Sequence, residues 1–413
     1  MPEMPPVFVH AADLHLGAPL RELGKGINDE ARRNLVNLVN TAFDNLINES
    51  IRLKAEFVVL AGDIYDGADR EAHAQIRFSL GLKKLVDAGI GVYIVHGNHD
   101  PVLGGIINVV SLPEGVTVFG TDKVSQVRHT MRDGRAVVVA GVSYESAHDR
   151  RPLATMFNGI SRDGAVAVVG VLHTNLGGVS TAHNNYAPSS EADLAAAPVD
   201  YWALGHVHKR QVRPIGQNRY WAYPGNLQGR DAGEPGEKGA LVVPILDHGV
   251  GEPQFLPMDA FHFANIAIDC TDAADLGPIA GLIREKCTGL SSGKPLLIRV
   301  TLHGYSAAHA AVSSTSNIEQ AIELLCGDAL NGGHIEKIVS HLLPEVDIHT
   351  LRTADDLLGD LLMAVENLAP GDFDPETAGL DPSLLTPDRL TDMRNAMTAD
   401  FLLGFYDATE GAA

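Results

Sequence analysis

The first part of the chain alternates short apolar runs with longer stretches in which apolar residues recur every three or four positions. The runs at 7–9, 57–61 and 92–95 are continuous and rich in β-branched residues, which is typical of buried strands. Between them, 31–53 and 70–88 show the periodicity of amphipathic helices. This strand-helix-strand-helix-strand order predicts a parallel sheet flanked by helices, with right-handed crossovers.

The pattern then changes to shorter strands with turn signals between them. Strands are predicted at 116–119, 125–131, 136–142, 165–172, 201–205, 219–223 and 239–246. An Asp133-Gly134 turn joins the second and third of these strands, which predicts antiparallel pairing. Residues 1–250 are therefore expected to form an α/β sandwich of two mixed sheets flanked by helices.

A second unit is predicted from residue 251 onward. Its strands and helices alternate at 263–269, 276–286, 295–302, 318–325 and 334–342, which predicts a small α+β domain over 251–345. The remaining 346–413 is an acidic tail with fourteen Asp or Glu residues against three arginines and no lysine. Two predicted helices, near 354–368 and 387–406, flank a Pro/Gly/Asp linker in this tail.

Composition narrows the class of protein. No apolar run approaches the roughly 20 residues that span a bilayer, and no secretory signal precedes the first strand, so a cytoplasmic protein without a membrane partner is expected. Three widely spaced cysteines, Cys270, Cys287 and Cys326, are predicted to be reduced core residues. The net charge of −21 argues against a protein that coats nucleic acid by bulk electrostatics.

Polar residues with ligand chemistry follow five of the predicted strands. They are Asp13, His15, Asp63, Asn98, His173, His206 and His208. Since open α/β sheets bind ligands at the carboxyl ends of their strands, these side chains are expected to converge. Carboxylates, imidazoles and an amide, without thiolates, suit Mn²⁺, Fe²⁺ or Zn²⁺. Seven ligands are too many for one open site, whereas two ions that share one carboxylate would use them for phosphoester hydrolysis.

Each of these residues has an ordinary structural alternative. The residues of a lone Asp-x-His at a strand end more often belong to a turn than to a metal site. Those of a lone Gly-His-x-His are about equally frequent in turns and in metal sites. Five such ends in one fold favour the metal interpretation. His10 and His96 are expected in the core or behind the ligands, and His183 at the rim.

The order of these motifs resembles the calcineurin-like metallophosphoesterases. Within them the chain looks like the bacterial DNA repair exonucleases of the SbcD and YhaO type, counterparts of the nuclease in the eukaryotic double-strand-break repair complex. The narrower resemblance rests on residues 10–17, 173–175, 185–188, 223–230 and 236–239. It covers 7–246 well and 260–345, the place of the family's capping domain, loosely.

The resemblance implies roles for individual residues. One ion would be held by Asp13, His15, Asp63 and His208, and the other by Asp63, Asn98, His173 and His206. His99 would act on the phosphate or the leaving group, oriented by Asp100. Archaeal and eukaryotic relatives carry a second histidine where this chain has Asp66, which cannot donate a proton at neutral pH without a raised pKa.

Three functions follow as alternatives. The first is an Mn²⁺-dependent DNA exonuclease that works with an SMC-like ATPase of the SbcC/YhaN type, with a homodimer implied by dimeric relatives. Its expected DNA contacts are Lys209, Arg210 and Arg230. The second is a small-molecule phosphodiesterase or nucleotide pyrophosphatase, and the third a non-catalytic DNA-end scaffold. The last tail helix is expected to fill a groove on the ATPase, the alternative being a helix packed on the capping domain.

Overall fold

The computed structural model describes residues 5–18, 20, 23–24, 27–66, 72–103, 109–177, 189–290, 293–345, 348–369, 389, 393–394, 397–398 and 401–402. The chain divides into two compact units. The first comprises Met1–Leu23, Ile27–Ala264 and Gly293–Leu297, and the second Gly24–Gly26, Asn265–Ser292 and Ile298–Ala413. Among the described residues, no helix has the length and apolarity needed to cross a bilayer.

The first unit contains twelve strands, three α-helices and one 3₁₀ helix (Leu153–Gly159) within its described residues. In chain order the strands and α-helices are β1 (Val7–Ala11), α1 (Asp29–Arg52), β2 (Phe57–Ala61), α2 (Ala72–Asp87), β3 (Gly91–Val95), β4 (Val116–Val118), β5 (Ser125–Thr130), β6 (Ala136–Gly141), β7 (Ala167–His173), α3 (Glu191–Ala196), β8 (Tyr201–Gly205), β9 (Gln211–Gly216), β10 (Arg219–Tyr223), β11 (Gly239–Pro244) and β12 (Gln254–Pro257).

These strands form two six-stranded mixed sheets, as the sequence predicts. The first has the order β12-β11-β1-β2-β3-β4, and its last four strands are parallel. The second has the order β5-β6-β7-β8-β10-β9, with parallel pairing from β6 to β10 and antiparallel edges. The antiparallel β5–β6 pair confirms the expected Asp133-Gly134 turn.

The two sheets pack face to face around an aromatic and aliphatic core. Phe8 stacks on Phe57 at 4.8 Å between ring centroids, and both pack with Tyr201 and Val169 of the other sheet. The outer face of the first sheet is covered by α1 and α2, and that of the second by Phe157 and neighbouring buried residues. This packing fixes the carboxyl ends of β1, β2, β3, β7 and β8 beside one another.

The second unit is built on a three-stranded sheet, β13-β14-β15. Its elements, counting two strands that begin in the first unit, are β13 (His262–Asp269), α4 (Leu276–Thr288), β14 (Leu296–Tyr305), α5 (His309–Ser314), α6 (Ile318–Cys326), β15 (His334–Leu343), α7 (Ile348–Arg352) and α8 (Leu357–Glu366). The β13 strand alternates buried and exposed residues from Ala264 onward, as expected of a sheet with one covered face. The three cysteines are buried and unpaired.

The described part of the tail packs within the second unit. Leu358, Leu362 and Leu402 form a buried cluster with Leu343, and Tyr305 packs against it. The described residues therefore agree with the alternative of a tail packed on its own domain, while attachment of the tail to a partner stays a prediction. The linker at 370–382 lies outside the described residues.

Candidate metal centre

The site begins with an unusual backbone at the strand ends. Four of the predicted ligands have positive φ angles: Asp13 (52°), His15 (45°), Asp63 (51°) and His206 (103°). This region is costly for residues other than glycine, about 1–3 kcal/mol each, and it persists where the surrounding structure enforces it. Backbone hydrogen bonds do so here, since His15 N donates to Asp63 O at 3.0 Å and Asp13 N to Gly62 O at 3.1 Å.

Glycines let the strand ends approach one another. A Cβ atom at Gly97 would lie 2.3 Å from Asp63 Oδ1, and one at Gly205 would lie 1.8 Å from the Ala61 carbonyl oxygen. Each added Cβ would also lie 2.8 Å from a ring nitrogen of the buried His173 and would displace this side chain. The Gly-Asn-His and Gly-His-x-His motifs therefore need their glycines for this close packing.

One group of predicted ligands gathers around the ends of β1 and β8. Asp13, His15 and His208 each offer a ligand atom within 4.8 Å of the others. The Nε2 atoms of His15 and His208 are only 3.1 Å apart, with His15 buried and His208 partly exposed. Two imidazole nitrogens at this separation need a shared proton or cation between them, so the geometry fits a metal ion.

A second group gathers around the ends of β2, β3 and β7. Asp13, Asp63 and His173 form another set within 4.8 Å. Asn98 Oδ1 lies 3.0 Å from His173 Nε2 and 3.1 Å from His206 Nδ1, which ties the remaining two predicted ligands to this set. All seven residues predicted from the strand ends are thus brought together, in two groups that meet at the Asp13 and Asp63 carboxylates.

Two histidines have one ring nitrogen fixed by an outer partner. His173 Nδ1 donates to the Ala61 carbonyl at 2.9 Å, which leaves Nε2 facing Asp63 and Asn98. His208 Nδ1 lies 2.5 Å from Glu234 Oε1, which leaves Nε2 facing His15. Such partners orient metal-binding imidazoles and raise their basicity. Sequence reasoning missed Glu234, because nothing in the spacing of a residue 26 positions away marks it as a partner of His208.

The charges in the centre oppose one another strongly. Burial, with repulsion from Asp63, raises the pKa of Asp13 to about 6. Burial also opposes ionisation of Asp63, but the His173 imidazole outweighs it and holds the Asp63 pKa well below its usual range. In return, and against burial, Asp63 raises the pKa of His173 to about 9. Buried carboxylates and imidazoles in such balance are typical of functional sites.

His99 is held by Asp66 and not by Asp100, so the predicted orienting residue is wrong. His99 Nδ1 lies 2.6 Å from Asp66 Oδ1. This hydrogen bond raises the pKa of His99 and, from the other side, holds the pKa of Asp66 well below its usual range. The ionised Asp66 is thus an acceptor for His99, a role that needs no proton from the carboxyl group.

Asp100 acts on the backbone instead. Its Oδ2 accepts from Ile64 N at 3.0 Å, and its Oδ1 accepts from Gly97 N at 2.8 Å. The carboxylate, which is fully buried, therefore ties the loop after β2 to the loop after β3. His96 Nδ1 lies 3.1 Å from Asp100 Oδ2, which agrees with its predicted place behind the ligands.

The predicted DNA contacts have different environments. Lys209 and Arg210 follow His208 directly and are exposed, and the Arg210 guanidinium lies 3.7 Å from the centre of the Phe255 ring. Arg230 is buried, and its Nη2 donates to Asp66 Oδ2, so this side chain is already engaged within the site, and its contact with DNA stays a prediction. His10 is a core residue bonded to Tyr201, as expected, while His183 lies outside the described residues.

Comparisons with known proteins agree with this geometry. A family model for calcineurin-like phosphoesterases matches residues 6–210. The uncharacterized metallophosphoesterase YhaO of Bacillus subtilis is 30% identical over 327 residues, covering 77% of this chain and 76% of that protein. The DNA double-strand break repair protein Mre11 of Methanococcus maripaludis is 27% identical over 233 residues, 53% of this chain and 56% of the relative.

A solved structure also matches, that of a dimetal phosphatase from Danio rerio. It has a TM-score of 0.35 and 11% identity and covers 62% of this chain and 98% of the other. The extent and identity of the YhaO match, together with the family match over the strand-end motifs, assign the family. The chain belongs to the calcineurin-like phosphoesterases and is a metallophosphoesterase, a hydrolase of phosphate esters.

Proposed function

We propose that this protein is a DNA exonuclease that acts in DNA repair and uses two Mn²⁺ ions. The family implies two divalent ions, and the donor set of the centre suits such ions, manganese among them. Asp13, His15, Asp63 and His208 would hold one ion, and Asp63, Asn98, His173 and His206 the other. When bound, the ions supply Lewis-acid polarisation of the phosphate and an acidified water.

The chain's own residues would complete the reaction. His99 stands beside the ligand Asn98, and its backbone N donates to Asp63 Oδ1 at 2.9 Å, which fixes the loop on the shared carboxylate. Its imidazole is partly exposed and is hydrogen-bonded to Asp66 through Nδ1. The other ring nitrogen, Nε2, would therefore deliver a proton to the leaving oxygen. Glu234 and the Ala61 carbonyl keep His208 and His173 in the orientation that binds the ions.

Similarity to a protein named for DNA double-strand break repair carries the choice of DNA as substrate. The match to Mre11 of Methanococcus maripaludis covers about half of each chain. The exposed cations Lys209 and Arg210, next to the ligand His208, provide contacts for a phosphate backbone at the edge of the site. An overall charge of −21 means that such contacts would be local.

A direct comparison of substrates tests this proposal. Purified protein would be assayed for metal content and, with Mn²⁺ or Mg²⁺ added after chelation, for hydrolysis of end-labelled duplex DNA, single-stranded DNA, a cyclic dinucleotide and a dinucleoside pyrophosphate. We expect manganese-dependent release of nucleotides from DNA ends. Rapid turnover of the small substrates with inert DNA would replace the nuclease by a small-molecule phosphodiesterase. If none of these substrates is hydrolysed, the remaining alternative is a DNA-end scaffold without catalytic activity.

His99→Ala tests the proton-donor role. The variant should keep both metal ions and lose about 10²–10⁴-fold of its turnover on DNA, the usual contribution of a general acid. Metal content by elemental analysis and turnover by single-nucleotide release would be measured on the same sample. If the variant loses an ion, His99 is a ligand instead.

An SMC-like ATPase is the partner that we propose for this nuclease. Co-expression of such an ATPase with the full chain, followed by size-exclusion chromatography, should give a complex with ATP-dependent nuclease activity. Leu402 of the tail is already buried with Leu343 and Leu362, so this proposal does not assign the ATPase to that face of the tail. Complete independence of the two proteins at micromolar concentration would rule the partner out.

A further inference from the structure

Arg230 is a buried cation that the family reaction leaves without a role. It lies in the loop between β10 and β11, with only 6% of the residue exposed. Its Nη2 donates to Asp66 Oδ2, while the other oxygen of the same carboxylate lies 2.6 Å from His99 Nδ1. Asp66 therefore bridges Arg230 and His99, and its Oδ1 also lies 3.7 Å from His15 Nδ1.

The loop that carries Arg230 is itself fixed. Glu234 Oε2 accepts from Arg230 N at 2.9 Å and from Asn226 Nδ2 at 2.6 Å, while Oε1 binds His208 Nδ1. Gln228 adds a further attachment, since its Nε2 donates to the Phe261 carbonyl at 2.8 Å. A single loop thus holds a predicted metal ligand through Glu234 and reaches the proton donor through Arg230.

We propose that Arg230 is a positioning residue for His99. By holding one oxygen of Asp66, it keeps the other oxygen on His99 Nδ1 and so keeps the imidazole in the orientation that serves the leaving oxygen. This inference rests on the proposed role of His99 as proton donor. It assigns to Arg230 no contact with the substrate.

An arginine suits this position for a physical reason. A hydrogen bond to each oxygen restricts rotation of the Asp66 carboxylate about its terminal torsion, which restricts the His99 imidazole in turn. The planar guanidinium gives directional donors, and its charge adds to the hydrogen bond from His99 in holding the pKa of Asp66 well below its usual range. The Asp66 side chain is mostly buried, so a paired cation also offsets the cost of its desolvation.

Two esters with different leaving groups provide the test. Bis(p-nitrophenyl) phosphate releases a weakly basic phenolate that needs no proton, whereas a deoxydinucleotide releases an alkoxide that does. We expect Arg230→Gln to lower kcat on the dinucleotide about 10–10²-fold, part of the effect of a complete general acid, and to change kcat on the nitrophenyl ester less than about threefold. KM and metal content should be unchanged for both esters.

Two further variants keep the test decisive. Arg230→Lys retains the charge but lacks the planar guanidinium, so its kcat on the dinucleotide should lie between those of the wild type and Arg230→Gln. Arg230→Ala should regain dinucleotide turnover when methylguanidinium is added, which a purely structural role would not produce. Arg151→Gln is the matched control, since Arg151 forms the same kind of pair with the buried Asp149 elsewhere in the unit, and its loss should not discriminate between leaving groups.

Each other outcome overturns the inference. An equal fall in kcat with both esters would make Arg230 a residue of stability alone, and a rise in KM with both would make it a phosphate contact. The effect of His99→Ala separates this inference from the proposed function. If His99→Ala does not discriminate between the esters, the proton-donor role itself fails; if it does while Arg230→Gln does not, only the positioning role of Arg230 fails.

Discussion

The metal-binding edge of the first unit and the second unit both contain non-glycine residues with positive φ, but in different surroundings. Asp13, His15 and Asp63 are almost fully buried at the edge. Asp272 and Asn331 of the second unit are exposed, as is Asn317. Asp and Asn in exposed turns adopt this conformation at low cost because their side chains bond locally. The same backbone strain therefore indicates function only where it is buried among ligand side chains.

Glutamate–histidine pairs show the same contrast. Glu234 holds His208 Nδ1 beside the buried carboxylates of the metal centre. Glu323 holds His334 Nδ1 at 2.9 Å in the second unit, where its other oxygen accepts from Ile335 N and both side chains are partly exposed. One pair orients a nitrogen towards other ligands, and the other fixes a strand beside a helix. Substitutions of equivalent residues in the two regions should separate these roles.

The largest expected effect follows Asp63→Asn. This change keeps the shape of the side chain and removes the charge that both ligand groups share, so at least one ion should be lost. Because bound ions contribute several kcal/mol of transition-state stabilisation, turnover should fall on the order of 10³-fold or more. Elemental analysis and turnover on bis(p-nitrophenyl) phosphate would measure both effects.

Asp272→Asn is the control for this change in the second unit. It alters an exposed Asp of the same backbone conformation and should leave metal content and turnover as in wild type. Full metal occupancy in Asp63→Asn would contradict the shared-carboxylate assignment.

Much of the fold can be predicted from the sequence because its signals are local. The buried strands β1, β2, β3, β7 and β8 read as continuous apolar runs, and each ligand follows its strand directly. The strands β9 and β12 were missed, because edge strands are mostly exposed and lack an apolar run. Such segments are recognisable only from the neighbours that they pair with.

The supporting contacts of the site were beyond sequence reasoning for a related reason. Asp66 and His99 are separated by 33 positions, and Arg230 is 164 positions from Asp66, so no spacing rule joins them. Asp100, which follows His99 directly, looked like its partner, but the turn directs that carboxylate to Ile64 N and Gly97 N. Neighbours in sequence are thus poor guides to which carboxylate orients a histidine.

Leu362→Ala should destabilise the second unit without reaching the metal centre. Leu362 is fully buried in the cluster that joins α8 to Leu343 and Leu402, and truncating a buried leucine costs about 2–5 kcal/mol. Urea unfolding should show the loss, while metal content and turnover on the nitrophenyl ester remain. An unchanged unfolding midpoint would mean that the tail contributes little to the stability of this unit.

Glu234→Gln should weaken metal binding more moderately. One oxygen of the Glu234 carboxylate accepts from Asn226 and Arg230, and the other binds His208. Because an amide has only one acceptor oxygen, the His208 ring should lose its fixed orientation in the variant. Loss of an outer carboxylate typically costs about 10–10² in metal affinity. Titration of chelated protein with Mn²⁺, followed by the return of activity, would give the shift.

Glu323→Gln is the matched change in the second unit. It removes the same charge from a Glu–His pair and should not alter manganese affinity. An equal shift in both variants would mean that the effect of Glu234 is one of net charge and not of orientation.

The smallest effect is expected from Asn331→Gly, which tests whether positive φ in the second unit has any functional meaning. Asn331 is exposed, has φ 52° and follows a short 3₁₀ turn at 327–330. Glycine relieves the strain of this conformation but gives the unfolded chain more freedom, and the two effects nearly cancel, so stability should change by less than about 1 kcal/mol. Metal content and turnover should equal those of the wild type, measured beside thermal unfolding of both proteins. A loss of activity in Asn331→Gly would show that strain in the second unit also supports the site, and the contrast between the two regions would then fail.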